Sequence, residues 1–552
     1  MKAFTEPLLS LAGFEEMTKT AEKSSGLISV TGCIDAQKSQ MIYAFGGHRK
    51  NKLIVTFGEQ KAKELYDEYS FFDKEVVYYP SKDVLFYQSD IRGNLLTAER
   101  IRALKAIHEQ ESVTLVTTFD ALMNTMAPIE KMWENVLTLE QGQLLDLKEI
   151  QAALIRMGYE KEYQVQTMGQ FSVRGGILDV FPLTEENPIR IELWGDEIDT
   201  IRYFDCESQK SIENTDRVSI YPAAELVLSD EEKAGGIEKL KAEAKRVSDK
   251  LRKQMKTEEA HRVTVMADEL TEEWGELSMY AGMDAFLSYF FDERVGLLDY
   301  FKPSDSLIFF DELTRCAEQG KLTETEFSES MKQRLAMGYI LPGQMNGLFT
   351  EKEIVAKLEK YSCIALGALD NKANGLHQLG SYGIHCQSVS PYNNSFELLI
   401  KDLKRYKKNG YRVILLSGSR TRTKRLSEDI TDQGITCFYT ENYDHELSEG
   451  QIMVCYGKVR RGFEYPILKF AVITESDIFG AQQKKKKRHR SYEGEKIQSF
   501  TDLSVGDYVV HENHGLGIYR GIEKLEVDKK VKDYIKIEYQ GGSNLYILAT
   551  QL

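Results

Sequence analysis

The segment Gly32-Cys-Ile-Asp-Ala-Gln-Lys-Ser39 follows an apolar run at 27–31 and keeps most of the spacing of a phosphate-binding loop, G-x-x-x-x-G-K-[ST]. Such a loop wraps backbone N–H groups around phosphates. Its lysine reaches the terminal phosphates and its hydroxyl meets Mg²⁺. Gln37 stands where the second glycine belongs. That glycine allows a positive φ, which a residue with a Cβ resists. Lys38 and Ser39 remain, but the cradle is compromised. Far along the chain, Asp311-Glu312 ends a second apolar run, as an acid pair that holds Mg²⁺ and activates water would. Gly32, Gln37, Lys38, Ser39, Asp311 and Glu312 therefore read as a degenerate nucleotide site: an NTPase-type fold without its hydrolytic engine.

Other segments carry weaker chemistry. Ser417-Gly-Ser-Arg-Thr-Arg-Thr-Lys-Arg425 lies between a strand and a helix, where exposed N–H groups bind anions. Arg460-Arg461 could supply arginine fingers, although no intact loop faces them; surface contacts or fold support are the alternative. Arg174, Phe181 and Arg190 fall on short alternating strands. An aromatic between arginines suits a protein interface, and it equally suits exposed strand charges around a core Phe. His511 and His514 lack a third ligand. No Ser/His/Asp or Cys/His arrangement stands out, so neither a catalytic residue nor a metal site is expected.

These residues need elements to position them. Residues 1–120 alternate short Val-, Ile- and Tyr-rich strands (27–31, 53–57, 76–79, 113–118) with helices at Glu59–Tyr69 and 95–109, the order of a parallel α/β sheet. Residues 121–215 switch to period-2 alternation with glycine turns, an antiparallel α+β insertion. Residues 216–335 return to the first domain: a charged, solvated helix at 230–256, then the strand ending in Asp311-Glu312. Residues 336–480 form a second α/β domain, with strands at 412–416, 435–439, 451–456 and 470–474 and a less regular stretch at 340–395. Residues 481–499 are a basic linker; six of the seven residues 484–490 are Lys or Arg. It reads as a solvated tether or a nucleic-acid contact. Residues 500–552 hold closely spaced strands with a turn at Gln540-Gly-Gly-Ser543, a small β-barrel whose exposed edge could pair with a partner strand.

The 552 residues suffice for several cores. A net charge of −15 argues against coating DNA by charge alone. No apolar run approaches the roughly 18 residues of a membrane span, so no membrane partner is expected. Seven scattered cysteines without a C-x-x-C pair fit a reducing cytoplasm and argue against zinc or disulfide scaffolds.

Three segments resemble the amino-terminal half of the bacterial transcription-repair coupling factor (Mfd). The first is Gly169-Gln-Phe-Ser-Val-Arg-Gly-Gly-Ile-Leu-Asp-Val-Phe-Pro182 with Pro188-Ile-Arg-Ile-Glu-Leu-Trp194 and Asp196-Glu-Ile-Asp199. It is similar to the module shared with the excinuclease B subunit, which docks on the excinuclease A subunit. The second is Arg461-Gly-Phe-Glu-Tyr-Pro466 with Ile473-Thr-Glu-Ser-Asp-Ile-Phe-Gly480. The third is Val505-Gly-Asp-Tyr-Val-Val-His511 with His514-Gly-Leu-Gly-Ile-Tyr519, which resembles a Tudor/CarD-like domain that binds the β subunit of RNA polymerase.

The resemblance implies a degenerate helicase-like domain of P-loop NTPase type, an excinuclease-A-binding insertion, a second α/β domain and a polymerase-interacting barrel. It implies that Arg190, with Arg174, Phe181 and Lys161 near the same contact, faces the excinuclease A subunit. It implies that Leu525, with Ile522 and Tyr519, faces the polymerase. Where the family often has Leu-Tyr-Val-Pro-Val, this chain has Leu545-Tyr-Ile-Leu-Ala549 and so lacks the proline. The ATP- and Mg²⁺-dependent translocase motor, and with it double-stranded DNA, is expected beyond Leu552; no cofactor is expected within the chain. The rival reading is an active helicase-like ATPase or the excinuclease B subunit itself. A glycine at 37 and a long damage-probing hairpin after residue 80 would favour that rival, and 78–97 is too short for the hairpin.

Overall fold

The computed structural model describes residues 1–46, 49–82, 94–276, 283–369, 375–480, 505–511, 515–527, 530–539 and 544–548. The basic linker at 481–499, the turn at 540–543, His514 and most of the stretch 78–97 lie outside the described residues.

The runs rich in Val, Ile, Leu and Phe are strands buried on both faces, as a parallel sheet covered by helices requires. Seven of them pair in the order Gln378–Gly383, Gly26–Thr31, Ser362–Leu366, Ser306–Asp311, Asn51–Thr56, Thr114–Thr118, Val77–Tyr79, with every neighbouring pair parallel. Helices Asp35–Phe45, Glu59–Tyr69 and Asn94–Glu109 cross between them. Two of these strands correct the expected layout. Ser362–Leu366 sits inside the sheet between Gly26–Thr31 and Ser306–Asp311, and Gln378–Gly383 at its edge, so the first α/β unit runs to Gly383 and not to 335. Ser362–Leu366 is short and carries Ser, Cys and Ala. Gln378–Gly383 is partly exposed and holds two glycines, so neither announces a strand by pattern.

The insertion is a six-stranded sheet ordered Ser211–Thr215, Glu197–Phe204, Ile189–Trp194, Ile177–Val180, Gln170–Arg174, Glu160–Lys161. All pairs are antiparallel except the last. Leu137–Glu140 pairs with Arg217–Ile220 at its neck, so the module closes a few residues past the expected limit of 215. Its inner face packs Phe171, Leu178, Val180, Ile189, Ile191 and Ile201 into a core of its own.

Helix Asp230–Lys253 opens with a Ser229–Glu232 capping box. It is not solvated all round, as its charge suggested. Leu240, Ala244 and Leu251 pack with Ala260, Val263 and Trp274 against helix Thr257–Glu276. The charges cover only the outer face. No helix among the described residues is long and apolar enough to cross a membrane.

The second sheet is ordered Gln387–Ser388, Phe463–Tyr465, Phe470–Thr474, Arg412–Ser417, Ile452–Tyr456, Phe438–Tyr439, with a parallel inner part. One apolar core runs without a break from the first sheet (Ile28, Ile54, Phe309, Ile364) into the second (Ile414, Met453, Tyr465, Val472). The last module is a four-stranded antiparallel meander, Tyr508–His511, Gly515–Val527, Lys530–Glu538, Asn544–Leu548. Among the described residues its first and last strands do not pair.

The first unit is tied to the insertion's end by a buried ion group. Arg100 is fully buried, donates to Glu225 through Nε at 2.6 Å and Nη2 at 2.9 Å, and lies over the Tyr79 ring at 4.0 Å. Lys82 adds a contact to Glu225 at 3.3 Å. Burial alone would push the Glu225 carboxyl up, but the Arg100 and Lys82 charges outweigh it and hold it at about 2. A depressed carboxyl stabilises the fold above its unfolded value, about 4.5, and that contribution fades as pH falls towards 2. Urea unfolding between pH 5 and pH 2.5 should show this loss in the wild type and less of it in Glu225→Gln. Arg100→Ala, which strands a buried carboxylate, should cost about 3–5 kcal/mol at neutral pH.

Candidate functional site

Strand Gly26–Thr31 delivers the loop and helix Asp35–Phe45 to the carboxyl edge of the parallel sheet, where such folds bind ligands. The strand ending in Asp311 arrives one position beyond its neighbour Ser362–Leu366. Of the six expected residues, Lys38, Asp311 and Glu312 come into contact there, whereas the Gln37 side chain points to the second sheet. Lys38 is buried, and its Nζ donates to Asp311 Oδ1 at 2.5 Å, Glu312 Oε1 at 2.9 Å and Asp35 Oδ1 at 3.1 Å. The Thr56 hydroxyl donates to Asp311 Oδ2 at 2.8 Å. Burial opposes the Lys38 charge, but Asp311 and Glu312 outweigh it and raise its pKa. Lysine and both acids are thus committed to one another.

The backbone is committed too. Gly32 adopts φ +78°, and a Cβ there would stand 2.1 Å from the Ile384 carbonyl oxygen. Gly32 N donates to Ala368 O at 3.2 Å and Cys33 N to Gly367 O at 3.0 Å. Two amides at the start of the loop are therefore used within the chain. Gln37 and Ser39 are buried inside the helix. The arrangement offers a phosphate neither a free ammonium nor these two N–H groups. The second unit repeats the pattern. At the turn before helix Arg420–Asp432, Glu475 Oε2 accepts from Ser417 Oγ at 2.9 Å and from Gly418 N at 2.8 Å, and Glu475 also pairs with Arg422. Its own carboxylate occupies the anion position. Arg460 pairs with Glu64 at 2.5 Å.

The insertion presents a second kind of site. Alternation along Ile189–Trp194 turns Ile189 and Ile191 into the core and Arg190, Glu192 and Trp194 to the other face. Register places Ser172, Asp179, Arg190 and Arg202 side by side across four strands. Two arginines directly opposed would repel. Each is held by an acid. Asp179, buried at 1% exposure, accepts from Arg190 Nε at 2.7 Å and Nη2 at 2.8 Å and from Arg174 Nη2 at 3.0 Å. Glu192 holds Arg202. Arg190 Nη2 also donates to Gln209 at 2.8 Å, and its guanidinium lies 4.3 Å from the Phe204 ring centre. The result is a fixed sheet face of three arginines held by Asp179 and Glu192, on the strand that ends at Trp194, which is 84% exposed.

The expected residues divide accordingly. Arg174 and Arg190 come together on this face. Phe181 is buried and offers almost no surface. Lys161 is exposed but lies three strands from Arg190, roughly 14 Å by strand spacing, with its Nζ on Gln151 at 2.7 Å. Arg202 and Trp194 are not among the expected contact residues; their places in the period-2 pattern are the signal that marks them. In the terminal meander Tyr519 packs inward with Val509, Ile537 and Leu545 and is not a surface residue. Ile522 and Leu525 lie on Gly515–Val527 opposite Ile535 and Lys532. Tyr508–His511 pairs only with residues 515–518 of that strand, so among the described residues its later part carries no strand on its outer side.

Fold and site together define a multidomain α/β protein with a self-paired lysine at the carboxyl edge of its first sheet and an inserted antiparallel sheet that bears a cluster of arginines. Residues 137–226 match the UvrB interaction domain, and residues 503–552 match the CarD-like/TRCF RID domain. The chain is 30% identical over 502 residues to the transcription-repair-coupling factor of Bacillus subtilis (strain 168), covering 90% of this chain and 42% of that protein. It is 28% identical over 554 residues to the Staphylococcus aureus (strain USA300) factor of the same name, covering 98% and 46%. The Staphylococcus haemolyticus (strain JCSC1435) factor is 28% identical over 537 residues. The expected resemblance to transcription-repair-coupling factors is borne out, and the chain spans less than half the length of these relatives.

If Lys38 serves the fold and not a phosphate, Lys38→Met should lower unfolding free energy by about 3–5 kcal/mol in denaturant titration, because Asp311 is left buried and charged. A lysine kept for a ligand would leave the ligand-free stability nearly unchanged.

Proposed function

We propose that this chain is the recruiting part of a transcription-coupled DNA repair factor. The insertion docks the excinuclease A subunit, and the terminal meander holds the β subunit of RNA polymerase. The observation that carries the reading is the arginine-bearing sheet face with its exposed tryptophan, lying within the residues matched by the UvrB interaction domain. Arginine and tryptophan are the residues most enriched at binding hot spots. Here they are presented on strands, already held by Asp179 and Glu192, so little ordering is left to oppose binding.

The polymerase contact would use the free outer edge of Gly515–Val527, where a partner strand can add to the sheet through main-chain hydrogen bonds. Leu525 and Ile522 lie on that stretch. The first α/β unit, a degenerate helicase-like domain, carries these two docking surfaces without turning over nucleotide. In the whole protein an ATP-driven DNA translocase outside these 552 residues would displace a stalled polymerase. The committed lysine and loop amides weigh against the rival ATPase reading.

A titration of the chain with the excinuclease A subunit tests the first contact. Trp194→Ala should weaken binding by roughly thirtyfold, about 2 kcal/mol, with an unchanged melting temperature because the side chain is exposed. Absence of wild-type binding would remove the recruiting role. For the second contact, Leu525→Glu should abolish pull-down of the polymerase β subunit while leaving excinuclease A binding intact; loss of both, or of neither, would contradict the assignment.

A further inference from the structure

Gln37 replaces a phosphate-loop glycine, yet its side chain has a partner. It is fully buried, and its Oε1 accepts from the Tyr465 hydroxyl at 3.1 Å. Tyr465 belongs to the second sheet, 428 residues away in sequence. The same hydroxyl lies 3.3 Å from Gln40 Oε1, one turn further along the helix. Gln40 in turn donates through Nε2 to the Phe4 carbonyl at 2.5 Å. One O–H, shared between two amide oxygens, joins strand Phe463–Tyr465 to helix Asp35–Phe45 and through it to helix Lys2–Leu9. A glycine at 37 would offer no acceptor.

We propose that Gln37 and Tyr465 form a latch that fixes the two α/β units as one body, so that their junction is closed permanently and is not gated by a ligand. The surroundings agree. Apolar side chains of both sheets form one core around the pair. The rim is stitched by the Arg460–Glu64 ion pair, by the Met1 ammonium on Asp444, and by Ala3 N donating to Tyr443 O at 2.9 Å. Apolar contacts alone tolerate sliding. A hydrogen bond in a dry core does not, because displacing it strands polar atoms away from water. The latch thus sets the register of the junction as well as its closure.

Hydrogen exchange of the 552-residue chain tests this. Tyr465→Phe keeps the ring and removes the shared proton. It should speed amide exchange about tenfold in both Asp35–Phe45 and Phe463–Tyr465 while leaving residues 137–226 unchanged. Gln37→Gly should do the same. Tyr406→Phe is the control: its hydroxyl donates to Glu464 on the opposite face of the same strand, so it should leave Asp35–Phe45 at the wild-type rate. Unchanged exchange on both flanks in Tyr465→Phe would overturn the latch. So would an equal opening in the Tyr406→Phe control, which would reduce the effect to general loosening of the second sheet.

Discussion

A buried ammonium has to find carboxylates, and Lys38 finds them inside its own chain. The contacts to Asp311, Glu312 and Asp35 bring together the loop after Gly26–Thr31, the end of Ser306–Asp311 and the start of helix Asp35–Phe45. The carboxyl edge of the sheet, where a doubly wound fold leaves room for a ligand, is thereby consumed by the fold itself. The consequences spread outward. Gly367 and Ala368 take the loop amides, Gln37 turns to the second sheet, and the second unit fills its own anion turn with Glu475. What remains is a closed frame.

A closed frame suits a platform. On the insertion the arrangement is inverted: one buried carboxylate, Asp179, gathers Arg174 and Arg190, where in the frame one buried ammonium gathers three carboxylates. The two also differ in exposure. Lys38 is sealed, whereas Arg174 and the edge of Arg190 reach solvent. Preordered arginines on strands lose little entropy on binding, and an exposed tryptophan brings apolar area at low cost. The pairing of carboxylate with cation closes one surface and opens another.

Much of this was legible in the sequence. Period and composition placed strands Thr114–Thr118, Arg412–Ser417, Phe470–Thr474 and Asn544–Leu548 to within a residue or two, and helix Glu59–Tyr69 to the residue. The broken phosphate loop and the acid pair were visible, and the structure brings them together. What stayed hidden depended on long-range packing. Ser362–Leu366 is an inner strand because neighbours bury it, not because its residues announce it. Gln378–Gly383 is held by pairing along Gly26–Thr31 despite its polar, glycine-bearing sequence. The inward turn of Tyr519 follows from which face of the meander has core partners. The Gln37–Tyr465 bond spans most of the chain and leaves no local trace. Trp194 and Arg202 were within reach of the alternation rule, since each falls on the outward phase of its strand.

The most direct test of the central claim is a calorimetric titration of the purified chain with Mg-ATP. The account predicts no saturable binding up to millimolar nucleotide, because the Lys38 ammonium that would grip phosphate is already bonded to three carboxylates and the first two loop amides are bonded to carbonyls. Saturable, Mg²⁺-dependent binding with a Kd well below millimolar, lost in a Lys38 variant that still folds, would contradict it and return the first α/β unit to the working nucleotide-binding proteins.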